Sequence, residues 1–510
     1  MNPSPVREID NAAAVRVSPS TTKPALLLAA GAVLVGILAA WFYHEAGLTL
    51  SHYDAKGHLV VARRVMDNLT PGWKQIGAVW LPLPHLVNLL PVQIDWCYRT
   101  GSSAILMSVL SFGVIVYAAA RLVGYLTGSA AAAAVAALVV VGNPNIVYLQ
   151  ATPMTEPLLL ALTTLGVALL VEWVDDDSPA RRRRLGVVLA AACLTRYEAW
   201  PLVGAALFFA AVALLRNGVP VGACVGRIAR IAIYPLVAAL AFFVQSRLTV
   251  GEWFVTGGFY VADNPDMGRP FKSIGSVWWA SYRMNPWAAL IAGCVGAPVI
   301  ALAVLTRRLR ASALVVLALA ATAFLPWYAF FSGHPFRYRY MVPLVPALAV
   351  YAGCALGLVP ARARGVAAAL LAAAILVQAR PLNARAPMVQ EAQLDRERGM
   401  QRRQVTAYLV QHRGTGKLLA SFGSLSHYVQ ELSHAGFALR DFVHEGNGDL
   451  WAAVVEGPQY HVDFVLIDEV SEGGDVLAAR ARENAGFLEG FRRAAEGGGV
   501  ALYERVKPRE

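Results

Sequence analysis

From about residue 24 to residue 380 the apolar positions gather into runs of membrane length, parted by short polar stretches. A bilayer core of about 30 Å takes roughly 20 apolar residues per helix. Runs of that character occupy 24–43, 103–123, 129–148, 157–174, 185–195, 199–215, 229–248, 287–305, 311–331, 341–359 and 365–379, which predicts about eleven transmembrane helices. Strands of about ten residues with alternating polarity, as a closed barrel requires, are not visible. The run 185–195 is short and meets the next through Arg196-Tyr197-Glu198-Ala199-Trp200-Pro201. We read the two as a hairpin rather than one tilted helix. An Arg and a Glu at mid-bilayer cost several kcal/mol, whereas at an interface, beside Tyr197 and Trp200, they cost little.

Beyond residue 380 the pattern changes. Arg380-Pro381 and Arg385-Ala386-Pro387 break the last helix, and charges become frequent. Helical periodicity covers 394–412, 426–435 and 476–484, and strand-like segments cover 417–422, 464–468 and 500–505. Such alternation predicts a small α/β layer. The glycines of Glu496-Gly497-Gly498-Gly499-Val500 read as a hairpin turn, because no Lys-Ser/Thr follows to make a phosphate loop. His427 and His434 lie seven apart on one helical face without a third ligand and read as structural histidines. The predicted fold class is a polytopic α-helical membrane protein with a small C-terminal α/β domain. Its parts are an N-terminal segment 1–23, a membrane domain 24–380 with a long first outer loop 44–102, and a soluble domain 381–510.

Composition agrees with the pattern. The 510 residues are 57% hydrophobic and 15% charged with mean hydropathy +0.50, against roughly a quarter charged in a soluble globule. The first run follows Arg7, Arg16 and Lys23 and lacks a small-residue cleavage site, so it reads as a retained helix. Arg121, Arg181 to Arg184, Arg216, Arg227, Arg230, Arg307, Arg308, Arg310, Arg362 and Arg364 fall on one side if the N-terminus is cytoplasmic. The loops holding Asp54, Glu156 and residues 336–340, together with the C-terminal domain, then face outward. The net charge of +11 is accounted for by topology and anionic lipid, so no nucleic-acid partner is expected. Five cysteines show no disulfide framework or metal spacing.

The outward loops carry the polar chemistry. Leu50-Ser51-His52-Tyr53-Asp54-Ala55-Lys56-Gly57-His58 opens the first loop, with a short interfacial helix expected over 58–68. Thr152-Pro153-Met154-Thr155-Glu156-Pro157 follows the third run, Arg196-Tyr197-Glu198 the fifth. Arg337-Tyr338-Arg339-Tyr340-Met341-Val342-Pro343 precedes a late helix. In order and shared side these segments resemble the GT-C glycosyltransferases, multispanning enzymes that take sugars from polyprenyl phosphate. The likeness is to their bacterial branch, which includes the protein O-mannosyltransferases and the lipid A aminoarabinose transferases. It covers residues 24–380.

The resemblance implies an integral membrane glycosyltransferase of a bacterial inner membrane. It would move a hexose or pentose from a polyprenyl-phosphate donor to an extracytoplasmic acceptor that is a protein, lipid or glycan. Asp54 would be the general base. Arg337 and Arg339 would offer planar forks to phosphate oxygens, with Lys56 and Arg196 as further cations and His58, Tyr197, Glu198 and Tyr338 around the substrate. Three roles stay open for Glu156: orienting the acceptor, holding Arg196 or Lys56, or joining Asp54 on a divalent cation. Beyond that divalent cation the resemblance assigns no cofactor. Plainer readings stand beside these. Asp54 is then a solvated helix cap, Glu156 a carboxylate at a helix start, and Arg196 and Glu198 a structural pair. Arg337 and Arg339, with Trp278, Trp279, Trp287 and Tyr260, would be interfacial anchors. From a different class, a transporter or flippase of a lipid-linked or polar solute would put its charges at mid-membrane in repeated halves, and no internal repeat is visible.

Overall fold

The computed structural model describes residues 22–255, 264–414 and 416–506; Arg7, Arg16 and Tyr260 lie outside them. The chain enters the membrane domain with α1 (Thr22–Glu45). The first loop carries α2 (Tyr53–Arg63), α3 (Leu83–Asn88) and α4 (Asp95–Thr100) before α5 (Ser102–Thr127) returns to the bundle. Then come α6 (Ala130–Val141), α7 (Pro144–Leu149), α8 (Glu156–Asp175), α9 (Pro179–Cys193), α10 (Ala199–Arg216) and α11 (Val221–Val250). After α12 (Pro270–Met284) follow α13 (Trp287–Leu305), the tightly wound stretch Ala311–Ala323 running into α14 (Phe324–Phe331), α15 (Leu344–Gly357) and α16 (Ala361–Ala379).

All eleven apolar runs are helical, but two fall short of a full span. Among the described residues nine helices are long and apolar enough to cross a bilayer, and α6 is a shorter apolar one. It stops at Gly142 because Asn143 caps α7, its side chain accepting from the N–H groups of Asn145 and Ile146 at 3.0 and 3.3 Å, with Pro144 at the first helical position. The hairpin at 194–198 is present. α9 gains length by starting at Pro179, where the Ser178 side chain accepts from Arg181 N–H, so its four arginines form its first turns.

α5 packs against α1, α6, α8 and α15 at the centre, burying Phe112, Ile115, Val116 and Val123. The outer faces of α1, α11 and α16 leave Leu27, Trp41, Leu240, Leu248 and Val377 exposed. Unbroken apolar stripes of this length face lipid, and the chain is an integral membrane protein.

Ion pairs separate the two ends of the bundle. At one, Arg121 grips Glu172 with two bonds of 2.6 and 3.0 Å, Arg310 meets Asp175 at 3.0 Å, and Arg182 and Arg227 meet Asp177. Most basic loops gather there. The loops holding Asp54, Glu156, Arg196 and Arg339 meet at the other.

The C-terminal domain begins with α17 (Pro387–Gln401) and α18 (Arg403–Gln411). It continues through β1 (Lys417–Ala420), α19 (Phe422–Leu432), β2 (Phe442–Val443), α20 (Asp449–Glu456), β3 (Val462–Asp468), α21 (Val476–Glu483), β4 (Phe491–Gly497) and β5 (Val500–Arg505). The sheet order is β2-β1-β3-β5-β4, parallel from β2 to β3 and antiparallel thereafter. Gly498 and Gly499, with φ of +58° and +84°, form the two-residue turn between β4 and β5, the left-handed pair that a tight hairpin demands. β2 and β4 escape sequence reading. β2 has two residues, and β4 is an edge strand that buries none fully.

This domain shares a core with the first loop. Leu59, Val60 and Ala62 of α2, with Val92, Tyr98 and Ala104, pack with Leu425, Tyr428 and Val429 of α19, Val405, and the sheet residues Leu418 and Leu466. The helix expected on the membrane surface over 58–68 is corrected by this arrangement. It runs from Tyr53 to Arg63 and is buried from Asp54 to Ala62, because the C-terminal domain covers the side that would face water.

Candidate active site

α2 begins at the mouth of the bundle. His52 takes up extended backbone just before it, and His52 Nδ1 accepts the N–H of Asp54 at 3.2 Å. The cap is therefore His52, and Asp54 is free to point elsewhere. Only 8% exposed, it accepts a hydrogen bond from Nη1 of Arg339. A carboxylate in the first turn also sits in the favourable field of the helix N-terminus.

Glu156 is the first residue of α8 and is completely buried. Arg196 Nη1 stands 3.2 Å from its Oε1, and Arg339 Nε stands 4.0 Å from the same oxygen. Neither carboxylate oxygen has an aligned hydrogen bond, so charge pairing is its compensation for burial. Arg196 also donates from Nε and Nη2 to Glu198 Oε1 at 3.1 and 2.9 Å and from Nη1 to Thr155 Oγ1 at 3.1 Å. Burial opposes the charge on Arg196, but Glu156 and Glu198 hold its pKa above the usual guanidinium value. The result is one alternating chain, Asp54, Arg339, Glu156, Arg196, Glu198, drawn from four separate segments. Of the three roles left open for Glu156, its geometry matches the holding of arginines.

The remaining residues singled out in the sequence are dispersed around this chain. Arg337 pairs with Glu472 of the loop after β3. Tyr338 lies against Trp279 and Phe336 at centroid distances of 5.6 and 4.9 Å. Tyr197 donates to the carbonyl of Val79 at 3.2 Å and packs on Trp200. His58 Nδ1 lies 3.0 Å from His85 Nε2, under the ring of Trp80. Burial holds His85 down to about 3 and His58 well below the ordinary imidazole range, so both are neutral near pH 7. Lys56 turns away from the chain altogether: its Nζ lies 2.5 Å from Glu431 Oε1 on α19. Trp278, Trp279 and Trp287 are exposed along the rim, as interfacial aromatics are. Among the described residues no group of three or more His, Cys, Asp or Glu is placed to hold a metal.

Four acids escaped sequence reading, all in the C-terminal domain. Glu391 on α17 lies 3.7 Å from His52 Nε2, and Asp395 accepts the backbone N–H of Tyr53 at 3.2 Å. Glu431 and Glu472 are the partners of Lys56 and Arg337. Only Asp395 and Glu431 fall in stretches whose helical periodicity is visible in the sequence, and nothing local to any of the four signals a partner more than a hundred residues away.

Solved structures share the architecture, two of them of one protein. ArnT from Cupriavidus metallidurans bound to undecaprenyl phosphate aligns with a TM-score of 0.58 at 16% identity, covering 94% of this chain and 98% of that one. The same protein in the apo state gives 0.58 and 16%, covering 95% and 98%. No family model and no curated protein matches the sequence. The likeness runs through both the membrane bundle and the C-terminal domain, and the chain is an integral membrane protein with the GT-C fold.

Proposed function

We propose that this protein is a membrane glycosyltransferase that moves a sugar from a polyprenyl phosphate to an acceptor hydroxyl, with Asp54 as general base. The observation that carries the reading is the buried chain in which Arg339 stands between Asp54 and Glu156 at one end of the bundle. A donor of this class ends in an anionic phosphate and an apolar tail, and it needs cations where lipid meets water. The ArnT structure that shares the fold holds undecaprenyl phosphate, which supports a donor of the same chemistry here.

In the proposed reaction the acceptor oxygen attacks the anomeric carbon, the bond from that carbon to the phosphate oxygen breaks, and the polyprenyl phosphate leaves with the electron pair. The hydroxyl proton passes to Asp54. Arg339 now occupies the carboxylate that must receive it. Arrival of a phosphate gives the guanidinium a second anion, and its transfer from Asp54 to phosphate uncovers the base only when donor is bound. Arg337 makes the same exchange with Glu472. Displacement from the face opposite the leaving group inverts the anomeric carbon. The crowding of basic loops at the far end of the bundle supports an extracytoplasmic active end in the bacterial inner membrane.

The test is incubation of the purified protein with a panel of radiolabelled polyprenyl-phosphate sugars. Consumption of one donor by the wild type and not by Asp54→Asn is expected. Equal consumption by both removes Asp54 from its role, and no consumption of any donor removes the reading.

A further inference from the structure

Lys56 stands two residues after Asp54, and on a helix that is about 200° of rotation. The two side chains therefore leave α2 on opposite faces, one toward the bundle and one toward the C-terminal domain. There Lys56 Nζ meets Glu431 Oε1 at 2.5 Å, and Arg402 grips the same carboxylate with bonds of 2.6 and 3.0 Å. The three side chains are 8, 5 and 22% exposed for Lys56, Arg402 and Glu431. Beside them Gly57 lets α2 approach closely: a Cβ there would lie 3.0 Å from Trp80 and 3.2 Å from Ser426 Oγ of α19. The N-terminal end of α2 is gripped as well, by Asp395 on the Tyr53 N–H at 3.2 Å, and the next residue, Arg396, donates to the carbonyl of Ala46 just past the end of α1 at 2.9 Å.

We propose that Lys56 and Glu431 are positioning residues, a buried tether through which the C-terminal domain sets the pitch of α2 and so places the Asp54 carboxylate opposite Arg339. The inference rests on Asp54 being the base and assigns the C-terminal domain a part in the reaction. It also takes Lys56 out of the phosphate site. A tether of this kind acts on orientation: a base displaced by about 1 Å loses on the order of 10²-fold in rate while donor binding, made elsewhere, is kept.

The two roles open to Lys56 give opposite signs in one variant. Under the tether, Glu431→Gln in the full-length protein lowers kcat by about tenfold to a hundredfold with the donor KM unchanged, and Glu431→Asp restores most of it. Were Lys56 a phosphate ligand, Glu431→Gln would release it and tighten donor binding. Lys56→Met serves as the second variant. It leaves Glu431 paired with Arg402, so no buried charge is orphaned, and it too lowers kcat at constant KM. Hydrogen exchange of the α2 amides, residues 53–63, is followed in all variants and rises when the tether is cut. A wild type without transfer activity but with faster α2 exchange in both variants overturns the glycosyltransferase reading and leaves the tether. Unchanged kcat and unchanged exchange in both variants, or a lowered donor KM in Glu431→Gln, overturns the tether.

Discussion

The guanidinium of Arg339 is hydrogen-bonded to the carboxylate of Asp54 across 285 residues of sequence, and the pair is buried at the mouth of the helix bundle. Each partner is compensation for the other's loss of water, and Glu156 and Arg196 extend the compensation inward.

Asp54→Asn keeps the volume and removes the base. Transfer is expected to fall by about 10²- to 10⁴-fold, with binding of a polyprenyl-phosphate donor retained, as measured by scintillation binding to the purified variant. Wild-type turnover by Asp54→Asn would exclude the assignment.

Arg339→Ala is expected to do more than weaken a substrate contact. It strands the buried carboxylate of Asp54, while Glu156 keeps Arg196, and breaking a buried pair from one side costs about 3–5 kcal/mol. Thermal unfolding in detergent should show a clear drop for this variant. Arg339→Ala paired with Asp54→Asn should recover part of it, since the stranded charge at Asp54 is gone.

Glu472→Gln separates donor affinity from stability. Glu472 is half exposed and Arg337 pairs with it from the bundle, so the substitution should leave unfolding within about 0.5 kcal/mol of wild type. Donor binding should tighten and become more salt-dependent, because the phosphate then meets an unpaired guanidinium instead of displacing a carboxylate. Arg337→Ala should weaken binding. A titration of donor at two salt concentrations checks both.

Acid should loosen the contact between the C-terminal domain and the first loop. Burial raises the Glu431 pKa, but Lys56 and Arg402 outweigh it and hold the carboxyl down to about 2 against an ordinary 4.5. A lowered folded pKa gives stability that is present above 4.5 and lost as pH falls toward 2, here about 3 kcal/mol when complete. His85, held to about 3 by burial first and Arg64 second, has the same sign: its neutral form is stable above 6.5 and opposes folding increasingly below. Unfolding followed from pH 7 to pH 3 should show progressive destabilisation, and Glu431→Gln should flatten the lower part of the curve. Constant stability across that range would contradict it.

Legibility in the sequence varied with the range of the interaction. The hairpin at Leu194–Glu198 was readable because the cost of a mid-bilayer Arg and Glu is a local quantity. The Gly498-Gly499 turn was readable because no partner is needed to explain two glycines between strands. Lys56 was grouped with Asp54 because both stand in one polar stretch, and only the helical rotation of α2 parts them. Asp395 and Glu391 gave no signal at all, being ordinary charges on an amphipathic helix.

By itself the sequence determined what lipid and water decide residue by residue: eleven apolar segments, and a change to frequent charges after them. Transfer free energy adds along the chain, so a long apolar run partitions into lipid whatever its neighbours do. Only the tertiary structure decided that Arg339 meets Asp54, that Lys56 is taken up by Glu431, and that the C-terminal domain closes over α2. Buried charges are stable only as pairs, and which of several arginines and carboxylates pair depends on the packing of helices that are distant in the chain.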